Sequence, residues 1–134
     1  MNDLATIRAR VREWQHLARY GLGPRPPRDV FLYALRNPLS GLYKIGVSGE
    51  FERRWTALCH QNGVALEVPA LYLNARGGRW LSERGLHEKL AAHRRVGEWF
   101  APDPPVVRAV ARLARSEREH ITFLLTRFAE QVPA

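Results

Sequence analysis

Two short runs rich in β-forming residues, 30–36 and 42–48, are separated by five residues that include Asn37, Pro38 and Gly41. Extended runs divided by turn-forming residues are typical of a β-hairpin. The pattern predicts two neighbouring antiparallel strands, which limits the chain to fold classes that contain a sheet.

The length of the hairpin loop sets which residues face each other. If residues 37–40 form a four-residue loop, Arg36 pairs with Gly41 and Tyr33 lies directly across from Lys44. Opposed residues of antiparallel strands lie on one face, with Cβ atoms about 5 Å apart. A slip of one residue would turn Lys44 to the other face. We therefore expect Tyr33 and Lys44 to be neighbours.

Apolar residues at three- and four-residue spacing predict helices on both sides of the hairpin. Residues 4–20 form an amphipathic, arginine-rich helix that ends in a stiff connector rich in Gly and Pro. Residues 50–61 form a short helix closed by the Asn-Gly pair at 62–63. A further helix is predicted over residues 79–93.

The remaining segments predict a third strand and a helical C-terminus. Residues 65–74 are rich in β-formers, and Pro69 among them indicates an edge position or a bulge. After a Pro-rich stop at 102–105, the pattern is helical to about residue 131. Ser116 with Glu119 resembles a capping box, so this stretch could be two helices.

These elements predict an α+β fold with a small three-stranded sheet, mixed or antiparallel, flanked by helices. At 134 residues the chain fits a single domain. We divide it into an N-terminal amphipathic helix and linker (1–29), a core (30–101) and a C-terminal helical extension (102–134).

The charge balance favours a polyanionic partner. Twenty-one Lys and Arg residues against 13 Asp and Glu give a net charge of +8. Basic side chains that neutralise phosphates release counterions, so DNA, or else RNA, is the expected partner. The alternative is a solvated basic surface that binds nothing.

The sequence predicts a cytoplasmic protein. Cys59 is the only cysteine, which excludes an intrachain disulfide and agrees with a reducing compartment. No uncharged apolar run approaches the ~18 residues needed to cross a bilayer. The N-terminus lacks the apolar centre of a secretory signal, and Asp3 and Glu13 count against a transit peptide. No membrane partner is expected, and the oligomeric state is left as monomer or weak dimer.

Four side chains meet the requirements of phosphodiester hydrolysis. An attacking water needs a base or an orienting hydroxyl, which Tyr33 offers. Charge that develops on phosphoryl oxygens needs cations, which Lys44 and Arg54 offer. Mg²⁺ often binds through one or two carboxylates and keeps several waters, so Glu83 is the candidate ligand.

Several segments, in order, resemble the GIY-YIG nuclease superfamily. The similarity covers about residues 30–101 and is closest to the phage-type and meiotically up-regulated gene branch. It rests on FLY at 31–33, YKIG at 43–46, FERRW at 51–55, ERGLH at 83–87 and GEWF at 97–100.

The resemblance implies a small mixed sheet flanked by helices, a DNA substrate and a single divalent ion, Mg²⁺ or Mn²⁺. It implies that Tyr33 acts as general base or water-positioning hydroxyl and that Arg54 stabilises the phosphate. It also implies that Glu83 holds the metal ion and that Gly46 lets strand and helix pack closely. Lys44, in place of the motif tyrosine, would contact phosphate or activate a neighbour.

Further nucleic-acid contacts are predicted at Arg53, His60 and His87. The chain departs from the superfamily pattern at Phe31, where the first motif has Gly, and at Leu58, where many members have His. His60 lies two residues too late to replace that histidine automatically.

Each candidate also has a purely structural interpretation. Tyr33 could be a half-buried strand aromatic, Lys44 a solvated lysine, and Arg54 the partner of Glu50 one turn earlier. Glu83 and His87 share one helix face, which could suggest zinc, but no third ligand is evident. Residues 98–100 are interpreted as packing.

Three functions follow from these expectations. The first is a metal-dependent DNA endonuclease. The second is a DNA-binding module of the same fold without turnover. The third is an interaction protein that docks a partner, or dimerises, through its terminal helices, although those helices could merely cover the sheet.

Overall fold

The computed structural model describes residues 3–23, 30–74 and 80–132. The predicted connector at 24–29 and the predicted start of a helix at residue 79 lie outside these ranges. The described elements are, in chain order, α1 Leu4–Leu17, β1 Val30–Arg36, β2 Tyr43–Ser48, α2 Phe51–Asn62, β3 Glu67–Asn74, α3 Glu83–Lys89, β4 Arg94–Val96, β5 Trp99–Phe100 and α4 Pro104–Gln131. Short 3₁₀ turns follow α1 and α3.

The fold is α+β, as predicted, but its sheet has five strands in the described residues rather than three. Their order is β3-β1-β2-β5-β4, and every neighbouring pair is antiparallel. The prediction missed β4 and β5 because strands of three and two residues are too short to show an alternating pattern.

The hairpin register differs from the predicted one by two residues. Tyr33 pairs with Gly46, and Leu35 pairs with Lys44. Arg36 lies opposite Tyr43, and the Asn37 N–H donates to the Leu42 carbonyl at 3.0 Å, so the position predicted for the loop, residues 37–40, was wrong. Because side chains alternate with a period of two, an even shift keeps Tyr33 and Lys44 on the same face. They are diagonal neighbours rather than opposed ones.

Both predictions made for Pro69, an edge position and a bulge, are confirmed in strand β3. It is an edge strand of the described sheet. Its pairing with β1 also shifts register between Ala34 and Arg36, whose partners are Ala70 and Glu67. Pro69 lies inside that irregularity, where a missing N–H removes no ladder hydrogen bond.

The terminal helices cover the exposed edge of β3. The Trp14 indole donates to the Leu71 carbonyl at 2.7 Å, and the Glu117 carboxylate accepts from the Leu71 N–H at 3.0 Å. Arg10 donates to the Val68 carbonyl at 2.8 Å and also pairs with Glu117 at 3.0 Å. Side chains of α1 and α4 thus satisfy edge groups that would otherwise be open to another strand.

The C-terminal segment is one continuous helix of 28 residues, so a division at Ser116 was wrong. Glu117 and His120 are buried on its inner side, and burial of that face holds the helix together across the supposed cap. Helix α3 is shorter than predicted, because Ser82 caps its N-terminus by accepting from the Gly85 N–H at 3.0 Å.

Side chains of α1, α2, α4 and the sheet form one hydrophobic core. None of the helices within the described ranges is long and apolar enough to cross a membrane.

Candidate functional site

Lys44 and Glu98 form a partly buried ion pair. Strand β2 pairs with β5 so that Lys44 lies opposite Trp99, which places Glu98 beside the lysine side chain. The Lys44 ammonium donates to Glu98 Oε2 at 2.7 Å and lies 5.9 Å from the centre of the Trp99 ring. The Lys44 side chain is only 9% exposed, so the interpretation as a solvated lysine is wrong.

Tyr33 reaches over Gly46, its cross-strand partner. The tyrosine is 1% exposed, and its ring packs 5.1 Å from that of Phe51, so it is fully rather than half buried. A Cβ atom on Gly46 would lie only 2.5 Å from the Tyr33 hydroxyl oxygen. Gly46 therefore provides the space for the tyrosine ring itself, rather than for close packing of a strand and a helix.

Burial raises the pKa of Tyr33. A hydrogen bond from Arg54 and the charge of its guanidinium act in the opposite direction, and the charges of Glu98 and Glu83 add smaller upward contributions. The net raised pKa keeps the phenol protonated at neutral pH. Helix α2 therefore brings Arg54 to the hydroxyl of Tyr33, while Arg53 is the residue that pairs with Glu50, at 3.3 Å.

Glu83, His87 and Glu98 bring three potential ligand atoms together, all within 4.8 Å of one another. Glu83 and His87 lie one turn apart on α3, as predicted. Glu98, from the turn between β4 and β5, is the third group that sequence analysis did not find. Residues 98–100 were interpreted as packing, but the Glu98 side chain pairs with Lys44 and belongs to this cluster.

The tautomer of His87 follows from its hydrogen bond. Its Nε2 lies 2.7 Å from the Ile45 carbonyl oxygen, which can only accept, so Nε2 carries the proton. In the neutral imidazole, Nδ1 then has the free lone pair, and a metal ion could bind only that atom while the bond is kept. The ring also packs 5.3 Å from Phe100.

The electrostatics of Glu98 connect the cluster to the cations. The hydrogen bond from Lys44 lowers the Glu98 pKa, with smaller downward contributions from the charges of Lys44, His87 and Arg54 and a partial offset from burial. Glu98 is therefore ionised at neutral pH. Through these interactions the site joins six side chains: Tyr33, Lys44, Arg54, Glu83, His87 and Glu98.

The donor set fits a divalent cation. Two carboxylates supply the oxygen ligands that Mg²⁺ and Mn²⁺ prefer, with water completing their coordination. The imidazole of His87 is a softer donor that would favour Mn²⁺ over Mg²⁺.

Two residues predicted to contact nucleic acid lie elsewhere. Arg53 lines a groove of about 690 Å³ between α1 and α2. His60 is exposed near the end of α2, beside Gly63 and Val64. At about 100° per residue, His60 lies roughly 120° around the helix from Arg54.

No family model, curated protein or solved structure matches this chain.

Proposed function

We propose that this protein hydrolyses phosphodiester bonds in DNA with the help of a divalent metal ion, as a GIY-YIG-type endonuclease. The observation that carries the proposal is the meeting of Tyr33, Arg54 and Glu83, from β1, α2 and α3, with the Lys44–Glu98 pair. Few structural roles require a buried tyrosine, two cations and two carboxylates at one place. The net charge of +8 suits a polyanionic substrate.

Arg54 is the group that meets the scissile phosphate. Arg54 is exposed on α2, and its guanidinium lies close enough to Tyr33 to oppose the rise in the pKa of that phenol. A guanidinium can donate to two phosphate oxygens at once, which stabilises the charge that builds up in the transition state.

Tyr33 positions the attacking water rather than removing its proton. With a raised pKa, the phenol is protonated at neutral pH and is a poor base. Because Arg54 donates to the phenol oxygen, the phenol O–H remains available to donate to a water or a phosphate oxygen. Of the two roles that the resemblance implies, the raised pKa of Tyr33 favours the positioning one.

Lys44 acts through Glu98. Its ammonium is buried and bound to that carboxylate, so it positions Glu98 and keeps it ionised. A charged lysine that already donates to a carboxylate is unsuited to accept a proton. We assign it no direct part in removing the proton of the water.

Glu83, Glu98 and Nδ1 of His87 would hold Mg²⁺ or Mn²⁺. Such an ion, when bound, acidifies water and stabilises the leaving oxygen. Ile45 fixes the ring of His87 through its carbonyl, and Lys44 fixes Glu98, so both side chains are oriented before a cation arrives.

A DNA-binding module without turnover is the second candidate. Leu58 occupies the position where many GIY-YIG nucleases have His, one turn after Arg54 on α2, and it is buried. Arg54 and the basic surface could still bind phosphate in that case.

Two assays on the unmodified protein separate these functions. The first measures nicking of supercoiled plasmid in MgCl₂ or MnCl₂, with EDTA as control. The second measures retardation of a duplex in a gel at several salt concentrations. The proposal predicts cation-dependent nicked and linear products. Salt-sensitive retardation without cleavage in either ion would favour the binding module, and no affinity at low salt would contradict both functions.

A further inference from the structure

A second feature of the surface lies on the other side of α3 from the cluster. A groove of about 310 Å³ runs between α3 and α4. Its apolar walls include Leu86 and Leu113, and its rim carries Trp80, Lys89 and Arg112. This volume is at the lower end of the range for ligand pockets.

Trp80 is exposed, unlike the tryptophans of the core. It is 60% exposed, whereas Trp14 is 1% and Trp55 is 6% exposed in the core. The segment that carries it is nevertheless fixed. Asn74, 1% exposed, accepts from the Leu81 N–H at 2.8 Å and donates to the Leu81 carbonyl at 2.9 Å. An exposed indole at the rim of an apolar groove, directly before a residue whose backbone is fixed, offers a stacking surface.

Lys89 and Arg112 line the same groove as this indole, and two further arginines of α4 lie near them in sequence. Arg108, Arg112 and Arg115 are exposed on one face of α4, at four- and three-residue spacing. Within residues 3–23, 30–74 and 80–132, these three arginines form no salt bridge, and neither does Lys89. Arg84, by contrast, pairs with Glu88. Glu119, one turn beyond Arg115, is the acidic residue on the same face. The groove is therefore bordered by ammonium and guanidinium groups available to an anionic partner.

We propose that the groove between α3 and α4 binds an unpaired base of single-stranded DNA, stacked on Trp80, with its flanking phosphates on Arg112 and Lys89. An aromatic ring beside a row of cations suits a single strand, since every base has a face that stacks and every linkage carries a negative charge. The charge favours nucleic acid over an apolar peptide or a second copy of this basic chain.

The position of the groove relates it to the candidate site. Trp80 lies three residues before Glu83, and Ser82 caps α3 between them. A strand that crosses the N-terminus of α3 would pass from the groove to the cluster of Glu83, His87 and Glu98. This inference rests on the nucleic-acid partner of the proposed function, but it does not require cleavage.

Fluorescence anisotropy in EDTA tests the inference without cleavage. The probes are a fluorescein-labelled 12-nucleotide oligo(dT) and a 12-base-pair duplex. We expect Trp80→Ala to weaken binding of oligo(dT) by about 5- to 150-fold, the range for loss of one stacked base. Trp80→Phe, which keeps a ring, should lose less, and the duplex affinity should change less than twofold for both variants.

Matched variants on α4 test the charged rim. Arg112→Ala should weaken oligo(dT) binding. It should also reduce the slope of log affinity against log salt concentration by about one. Two variants of exposed α4 residues outside the groove serve as controls. Arg118→Ala removes an arginine, and Val107→Ala shortens an apolar side chain. Both should bind like the wild type.

Three results would overturn the inference. One is an unchanged oligo(dT) affinity in Trp80→Ala, with circular dichroism that matches the wild type. Another is no oligo(dT) binding by the wild type at low salt. The third is a Trp80-dependent loss of self-association without a loss of oligo(dT) binding, which would assign the groove to a second copy. If plasmid nicking fails but Trp80-dependent binding remains, the proposed cleavage is wrong and this inference is confirmed.

Discussion

Gly46 and Tyr33 face each other across β1 and β2 in a contact that leaves no room for a side chain. A Cβ atom on Gly46 would lie 2.5 Å from the tyrosine hydroxyl oxygen and 2.7 Å from Cζ. Tyr33 is 1% exposed and packs against Phe51, so its ring has little freedom to move away. The glycine thus determines where the Tyr33 hydroxyl lies.

Gly46→Ala should therefore displace Tyr33. Overpacking of a dense core costs about 1–3 kcal/mol, and we expect the free energy of unfolding in urea to fall by that amount. If nicking activity is present, it should fall more than tenfold, because the hydroxyl would no longer meet Arg54 in the same place.

Gly85 provides the matched control for this substitution. A Cβ atom there would lie 3.5 Å from Ser82, which is an ordinary contact. Gly85→Ala on helix α3 should stabilise the protein by up to about 1 kcal/mol. A Gly46→Ala variant as stable as the wild type would show that Tyr33 can move freely.

Glu98→Gln should leave the buried Lys44 ammonium without its counter-charge. Glu98 is partly exposed, so we expect a loss of about 1–2 kcal/mol in the free energy of unfolding at pH 7. Adding Lys44→Met to Glu98→Gln should recover most of the lost free energy of unfolding, because the double variant has neither charge.

The lowered pKa of Glu98 gives this loss a defined pH dependence. A carboxylate whose folded pKa is depressed stabilises the protein above its unfolded value, about 4.5, and the contribution disappears as the pH falls through the folded pKa. The difference between wild type and Glu98→Gln should therefore shrink below pH 4.5. Glu88→Gln, which breaks an exposed pair with Arg84, serves as control. Equal stability of Glu98→Gln and the wild type at pH 7 would contradict the role given to the pair.

His120 should make the protein less stable in mild acid. It is 6% exposed and packs against Trp14 and Tyr72, and neither ring nitrogen has a hydrogen-bond partner in the part of the chain that is described. Burial lowers its pKa. As the pH falls below about 6.5, the unfolded chain binds a proton first, so the free energy of unfolding falls with pH.

His120→Phe keeps a ring in this aromatic surrounding and removes both polar nitrogens. It should raise the free energy of unfolding at pH 7.5 by about 1 kcal/mol. This free energy should also change less with pH between pH 7.5 and 5 than in the wild type. Thermal unfolding at several pH values measures both effects. His60→Phe removes an exposed imidazole and should keep the wild-type profile. An unchanged profile in His120→Phe would contradict this assignment.

The parts of the fold that were predicted correctly have strong local patterns. Helices α1 and α2 show apolar residues at helical spacing, and α2 ends at Gly63, whose φ of +65° suits glycine. The register of the hairpin was missed because it depends on the loop. There, the Asn37 side chain accepts from the N–H groups of Leu39 and Ser40, and Gly41 has a φ of +78°.

The part of the site that was missed depends on contacts distant in sequence. Glu98 meets Lys44 across 54 residues, through a strand, β5, of only two residues. No periodicity reveals such a strand. The available signal was a charged residue inside the GEWF segment, directly before two residues that pack, together with a lysine on the facing strand.

Plasmid nicking by two glutamine variants tests the central claim most directly. Glu83 and Glu88 lie on the same helix, but only Glu83 belongs to the cluster with His87 and Glu98. We expect wild-type protein and Glu88→Gln to nick supercoiled DNA in MnCl₂ at equal rates, and Glu83→Gln to be at least 100-fold slower, with an unchanged melting temperature. Nicking by Glu83→Gln at the wild-type rate would contradict the claim that this cluster carries out the reaction.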